Sequence, residues 1–132
     1  MADWWGFSRS NYFRVKDREL FMNWAQEIDD LDVLHAKDGV VAITGQFYGG
    51  WPHVRGEECE EFDLIEELAE HLADGEIAVL IEAGAEKLRY ITGDAVAVNS
   101  QGERVALSLG HIYEMAEQEF GRRPKRPINS TC

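Results

Sequence analysis

Residues 56–77 read GEECEEFDLIEELAEHLADGEI, and the fold turns on how this stretch is read. Phe62, Ile65, Leu68, Ala69 and Leu72 recur every three or four positions, which is the period of one helix face. Gly75 supplies a stop. The spacing predicts a helix over about Glu60–Ala73, with Asp63, Glu66, Glu67, Glu70 and Asp74 on its other face. The apolar run Ile77–Glu82 (IAVLIE) follows as a buried strand. A helix with one modest apolar face, leading into such a strand, needs a sheet to pack on.

Working outward, Asn11–Val15 (NYFRV) has strand propensity. Asp17 then stands as N-cap of a helix over about Arg18–Ile28, whose apolar face is Leu20, Phe21, Trp24, Ala25 and Ile28. Val33–Ala36 and Val40–Phe47 form a hairpin across Lys37-Asp38-Gly39, because Asp-Gly favours the left-handed turn that a tight hairpin needs. Residues 48–53 (YGGWPH) are a loop. On the other side, Gly84–Glu86 reads as a turn. Lys87–Ile91 and Asp94–Val98 read as strand-like, or as one strand bent at Gly93. Asn99–Gly102 is a turn, and Glu103–Leu107 is the returning strand. Ser108 caps a last helix over about Leu109–Phe120, with Ile112, Tyr113, Met115, Ala116 and Phe120 on its apolar side. Residues 1–10 place Trp4, Trp5 and Phe7 among Gly and Ser, and read as an irregular lid over the sheet or a partner-binding segment.

The order is therefore strand, helix, hairpin, acidic helix, strand, hairpin, helix. That predicts an α+β fold: a mainly antiparallel sheet with about three helices packed on it, a split-βαβ (ferredoxin-like) variant being one arrangement that fits. With 132 residues, 45% of them hydrophobic, one domain is expected over 1–121. Residues 122–132, with Arg122, Arg123, Lys125 and Arg126 around two prolines, read as a basic flexible tail. Cys59 and Cys132 are too few for a disulfide scaffold. No apolar run approaches the roughly 20 residues that span a bilayer, and the first residues lack a signal-peptide pattern. A soluble, cytoplasmic protein is expected, with no membrane partner.

Charge is what sets the chain apart. Residues 56–77 hold ten acids and no Lys or Arg, so they carry −10 of the formal net charge of −12. The acids are Glu57, Glu58, Glu60, Glu61, Asp63, Glu66, Glu67, Glu70, Asp74 and Glu76. Like charges one helical turn apart repel by tenths of a kcal/mol per pair, and selection for stability alone would scatter bases among them. The macrodipole excuses acids at the helix start but not Glu70, Asp74 or Glu76. Carboxylates about 5–6 Å apart on a helix approximate the spacing of phosphates along a nucleic-acid strand. These acids are therefore candidate contacts to a basic, nucleic-acid-binding protein surface. Trp51, if exposed on its Gly/Pro loop, would anchor the same interface; the other reading tucks it onto the sheet. The acid excess disfavours direct binding of nucleic acid.

Other chemistry is weaker. Glu57–Glu61 lack the spacing of a calcium loop. His35, His53, His71 and His111 match no metal motif, so neither metal nor cofactor is expected. Glu67 and His71 lie one turn apart and form the one candidate acid–base pair. Cys59, between acids, is a poor thiolate. Gly45-x-x-x-Gly49-Gly50 lacks the Lys and Ser/Thr of a phosphate loop.

Ser10–Asp17 (SNYFRVKD), the acidic run and Leu88–Gly93 (LRYITG) together resemble small acidic proteins of phages and mobile elements that block host defence, of the anti-CRISPR and antirestriction type. The resemblance is one of character across most of the chain and carries over no catalytic residue. It implies a stoichiometric, non-enzymatic inhibitor acting in the host cytoplasm, a DNA mimic that occupies the nucleic-acid-binding surface of a CRISPR or restriction complex, as a monomer or homodimer. The alternatives are a small enzyme using His53 or His71 with nearby carboxylates, and a self-associating module whose exposed aromatics form the interface.

Overall fold

A computed structural model describes residues 4–45, 50–86 and 90–125. In chain order the elements are β1 (Trp4–Ser10), α1 (Arg18–Gln26), β2 (Leu31–His35), β3 (Val41–Gly45), β4 (Val54–Arg55), β5 (Glu60–Glu61), α2 (Leu64–His71), β6 (Ile77–Glu86), β7 (Tyr90–Asn99), β8 (Arg104–Ser108) and α3 (His111–Phe120). Six strands form an antiparallel sheet in the order β2-β3-β1-β6-β7-β8, and β4 pairs with β5 as a separate ribbon. The fold is α+β, as the order of elements predicts. The units β1-α1-β2-β3-α2-β6 make two interleaved strand–helix–strand turns, with β1 hydrogen-bonded between β3 and β6. That is a split-βαβ arrangement, widened on one edge by β7 and β8.

The first strand lies earlier than predicted. Residues 4–10 are not an irregular lid but the central strand, paired in full with β6 from Trp4↔Glu86 to Ser10↔Leu80. Their Ser residues, read from sequence as loop formers, are buried and substitute for ladder groups: Ser10 Oγ accepts the Ile43 N–H at 2.9 Å and Ser8 Oγ accepts the Gly45 N–H at 3.0 Å. The predicted strand Asn11–Val15 is instead a crossing segment. Asn11 bonds β6 through its backbone and side chain, Phe13 bridges to Val41, and Val15 bridges to Leu72. It changes partner at every second residue, so no ladder forms.

Asp17 caps α1, accepting the Leu20 N–H at 3.1 Å. Phe21 and Ala25 are buried, whereas Leu20, predicted on the same face, is 59% exposed. The Lys37–Gly39 turn has both Asp38 (φ 68°) and Gly39 (φ 76°) in the left-handed region, as Asp-Gly demands. β6 and β7 are longer than predicted. Gly84–Glu86 continues β6 instead of turning, and of the two readings for the next segment the single strand holds: β7 runs through Gly93 as one ten-residue strand. Lys87–Arg89, Gln46–Gly49 and the end of the basic tail, 126–132, lie outside the described residues.

The core sits on one face of the sheet. Phe13, Phe21, Ile28, Val41, Ile43, Leu68, Leu72, Leu80 and Val98 are all less than 2% exposed, each contributing roughly 1.5–3 kcal/mol from burial. α1 and α2 cover this face. The third helix does not: α3 has no buried residue, and Ile112, Met115 and Phe120 are more than half exposed. Ser108 does not cap it. Gly110 is the N-cap, without a side-chain bond, and Ser108 N–H donates to His111 Nδ1. Among the described residues no helix is long and apolar enough to cross a membrane.

Candidate functional site

The acidic stretch folds as a ribbon followed by a short helix, not as one long helix. Glu60 and Glu61 are β5 and pair with Arg55 and Val54. Glu57 and Glu58 lie in the turn between β4 and β5. Gly56 and Cys59 hold positive φ there, and Cys59 N–H donates to the Gly56 carbonyl at 3.1 Å. The helix starts only at Leu64 because Asp63 caps it, accepting the N–H groups of Ile65 (3.1 Å) and Glu66 (3.2 Å). It ends at His71 because Leu72 turns extended to meet Val15. Asp74 and Glu76 therefore lie beyond the helix. The predicted row of carboxylates along one helix face reduces to Glu66 and Glu70.

Three of the ten acids have structural partners. Glu67, half-buried, receives both arms of the Arg55 guanidinium, at 2.5 and 3.0 Å, and the Trp24 indole N–H at 2.8 Å. Burial alone would raise its pKa. The Arg55 and Trp24 bonds outweigh burial and hold Glu67 below the usual carboxylate range. The same bond holds the Arg55 guanidinium above its ordinary value. Asp63 is bonded by Arg104 at 2.7 Å, which lowers its pKa together with the two helix N–H groups. Glu76 accepts the Arg14 backbone N–H at 2.7 Å. The other seven, Glu57, Glu58, Glu60, Glu61, Glu66, Glu70 and Asp74, are exposed, and none makes a salt bridge with Lys or Arg among the described residues. Glu57, Glu58, Glu60 and Glu61 line the ribbon, Glu66 and Glu70 the solvent side of α2, and Asp74 follows the helix; together they make up the acidic ledge.

Trp51 is not the projecting anchor that its loop suggested. It is half-buried and packs against the core, with its indole nitrogen buried and unpartnered among the described residues. The Glu67–His71 acid–base pair does not form either, because both Glu67 oxygens are taken. His71 instead packs against the rings of Trp24 (5.0 Å) and Phe21 (6.0 Å), and burial lowers its pKa. His53 is exposed.

Sequence reasoning missed a second carboxylate pair. Glu82 stands opposite Asp94 across β6 and β7, on the helix-bearing face. Burial, and then the Asp94 charge, raise the Glu82 pKa against the pull of a Trp51 backbone N–H. Gly50 fits beside it only as glycine: φ is +84°, and a Cβ would collide with the Glu82 carboxylate. The signal was present in the alternation of Ala78, Leu80 and Glu82, which carries an acid onto the inward face. No family model, curated protein or solved structure matches the chain.

Proposed function

We propose that this chain is a non-enzymatic binding protein whose acidic ledge occupies a basic, nucleic-acid-binding surface of another protein, as a charge mimic of the anti-CRISPR or antirestriction type acting in the host cytoplasm. The observation that carries the reading is the set of seven exposed carboxylates, without a salt bridge to Lys or Arg among the described residues, on a ribbon, a helix and the turn after it that are fixed to the core. Arg55–Glu67 and Trp24–Glu67 clamp that unit, and Arg104 clamps its start at Asp63. A charged surface held by such bonds needs little ordering on binding, which favours affinity and a fast, steered encounter. The mimicry is of a patch of phosphates rather than of one straight strand, since the helix supplies only Glu66 and Glu70.

The test is a variant with Glu57, Glu58, Glu60, Glu61, Glu66 and Glu70 changed to Gln and Asp74 to Asn. Its fold is checked by circular dichroism, and it is compared with the parent in pull-downs from host lysate at low and high salt. Loss of captured nucleic-acid-binding proteins in the variant, and with added salt in the parent, supports the reading. Equal capture by both proteins sinks it.

A further inference from the structure

The sheet has two faces, and among the described residues the helices α1 and α2 cover only one. On the face away from α1 and α2, β1 presents Phe7 and Arg9, β6 presents Val79, Ile81 and Ala83, and β8 presents Val105 and Leu107. Phe7 is 78% exposed, Val105 72% and Ile81 52%. Between β6 and β8, the small side chains of β7 (Ala95 and Ala97) leave a shallow groove of about 230 Å³, and a second trough of about 410 Å³ runs along β1 and β6. The same chain also carries an amphipathic helix, α3, none of whose residues is fully buried. Ile112, Met115 and Phe120 of α3 are 58%, 60% and 79% exposed.

We propose that these two exposed apolar surfaces are one interface: α3 of each copy lies on the open sheet face of a second copy, giving a twofold-symmetric homodimer. Three observations point to a second copy as the occupant. The first is area. The ten large apolar side chains of this face and of Leu109–Phe120 leave on the order of 1,000 Å² in water. Summed over the two surfaces, that is enough for the ~800 Å² per partner of a stable interface. The second is shape: a helix about 15 Å long fits within strands of about 33 Å, with its ridge in the groove between β6 and β8.

The third is charge. Among the described residues of β1, β6, β7 and β8, Arg9 is the only charged side chain on this face, held over the Tyr12 ring at 5.3 Å. Glu119 lies seven positions after Ile112 and four after Met115, so it shares the apolar stripe of α3. A helix docked on β6–β8 brings Glu119 to Arg9, and twofold symmetry forms the pair twice. The acidic ledge belongs to the covered face, so back-to-back pairing keeps the two ledges apart and available.

Sedimentation equilibrium of the full chain should give twice the 15.0 kDa of one chain. Arg9→Glu and Glu119→Arg, both at exposed positions, should each weaken the dimer by about tenfold or more, because like charges then meet. Mixing the two variants should restore it, since a heterodimer regains both pairs. Met115→Lys and Leu107→Lys should give folded monomers by circular dichroism. A monomeric parent overturns the proposal, as does a dimer indifferent to Met115→Lys and Leu107→Lys. Rescue in the Arg9→Glu, Glu119→Arg double variant without rescue on mixing also overturns it, because α3 would then close on its own sheet. None of these readouts depends on the ledge, so failure here leaves the acidic docking reading standing, and failure of that reading leaves the dimer standing.

Discussion

Glu67 on α2 accepts both arms of Arg55 and the indole N–H of Trp24, so a single carboxylate ties the acidic ribbon, α1 and α2 together. Both members of the ion pair are about a quarter exposed, so the bond is neither a screened surface contact nor a fully desolvated one. Glu67→Gln should keep the Trp24 bond and lose the fork. An expected cost of about 1–2 kcal/mol, between exposed and buried pairs, would appear as a lower urea midpoint. A change within error would show that the ribbon is held by Phe62 and Arg55 stacking alone, where Arg55 lies over the ring at 4.6 Å.

The pair also sets an acid limit. Glu67 titrates below the ordinary carboxylate value in the folded protein. Its contribution is therefore present above the unfolded pKa of about 4.3 and is lost as pH falls through the lower folded value. Denaturant midpoints measured from pH 5 down to pH 2.5 should drop steeply for the parent and more gently for Glu67→Gln.

His71 adds a second, earlier limb. Burial against Phe21 and Trp24 lowers its pKa, so protonation favours the unfolded chain. The contribution of the neutral ring is present above about pH 6.5 and declines as pH falls from there toward the folded value. The His71 ring proton shifts in NMR should titrate below 6.5, and His71→Phe should flatten stability between pH 5 and 7. A parent titrating at or above 6.5 would remove this account.

How much of this was legible in the chain depends on range. Asp17 as a cap, the left-handed turn at Asp38-Gly39 and most of the inward faces of α1 and α2 follow from neighbours within four residues; the structure keeps them except at Leu20, which is exposed, and at Phe62 and Leu72, which flank the shorter α2. The split-βαβ order followed from counting strands and hairpins. What failed was decided by partners far away. Ser8 and Ser10 read as loop formers because their hydroxyls are useful only beside Gly45 and Ile43 on β3. Arg55 and Arg104 relieve Glu67 and Asp63 from outside the acidic stretch, 12 and 41 positions away, so charge counting inside it overstated the repulsion. The stripe of α3 was read as a buried face, but periodicity reports that a helix has an apolar side and not what covers it.

The buried hydroxyls give a further test. Ser10 Oγ accepts the Ile43 N–H and donates to the Asn11 carbonyl at 2.8 Å. Ser10→Ala leaves a buried amide without an acceptor, which should cost about 1–3 kcal/mol. Hydrogen exchange at Ile43 should accelerate in the variant while Leu80, on the far side of β1, stays protected.

Glu82 and Asp94 predict the opposite sign. Like charges directly opposite on neighbouring strands destabilise by up to about 1 kcal/mol, and burial raises the Glu82 pKa further. A raised folded pKa means that the folded state holds the proton more tightly. The penalty is therefore absent below the unfolded pKa of about 4.3 and grows as pH rises through the folded value. Glu82→Gln keeps an acceptor for the Trp51 N–H and removes the charge, so it should raise the melting temperature at pH 7 and leave it unchanged at pH 4. The same comparison on Asp94→Asn should show a smaller gain, because Asp94 is exposed. If both variants melt lower than the parent at pH 7, the pair is not a strain on the sheet, and a cation or a ligand group between the two carboxylates becomes the better account.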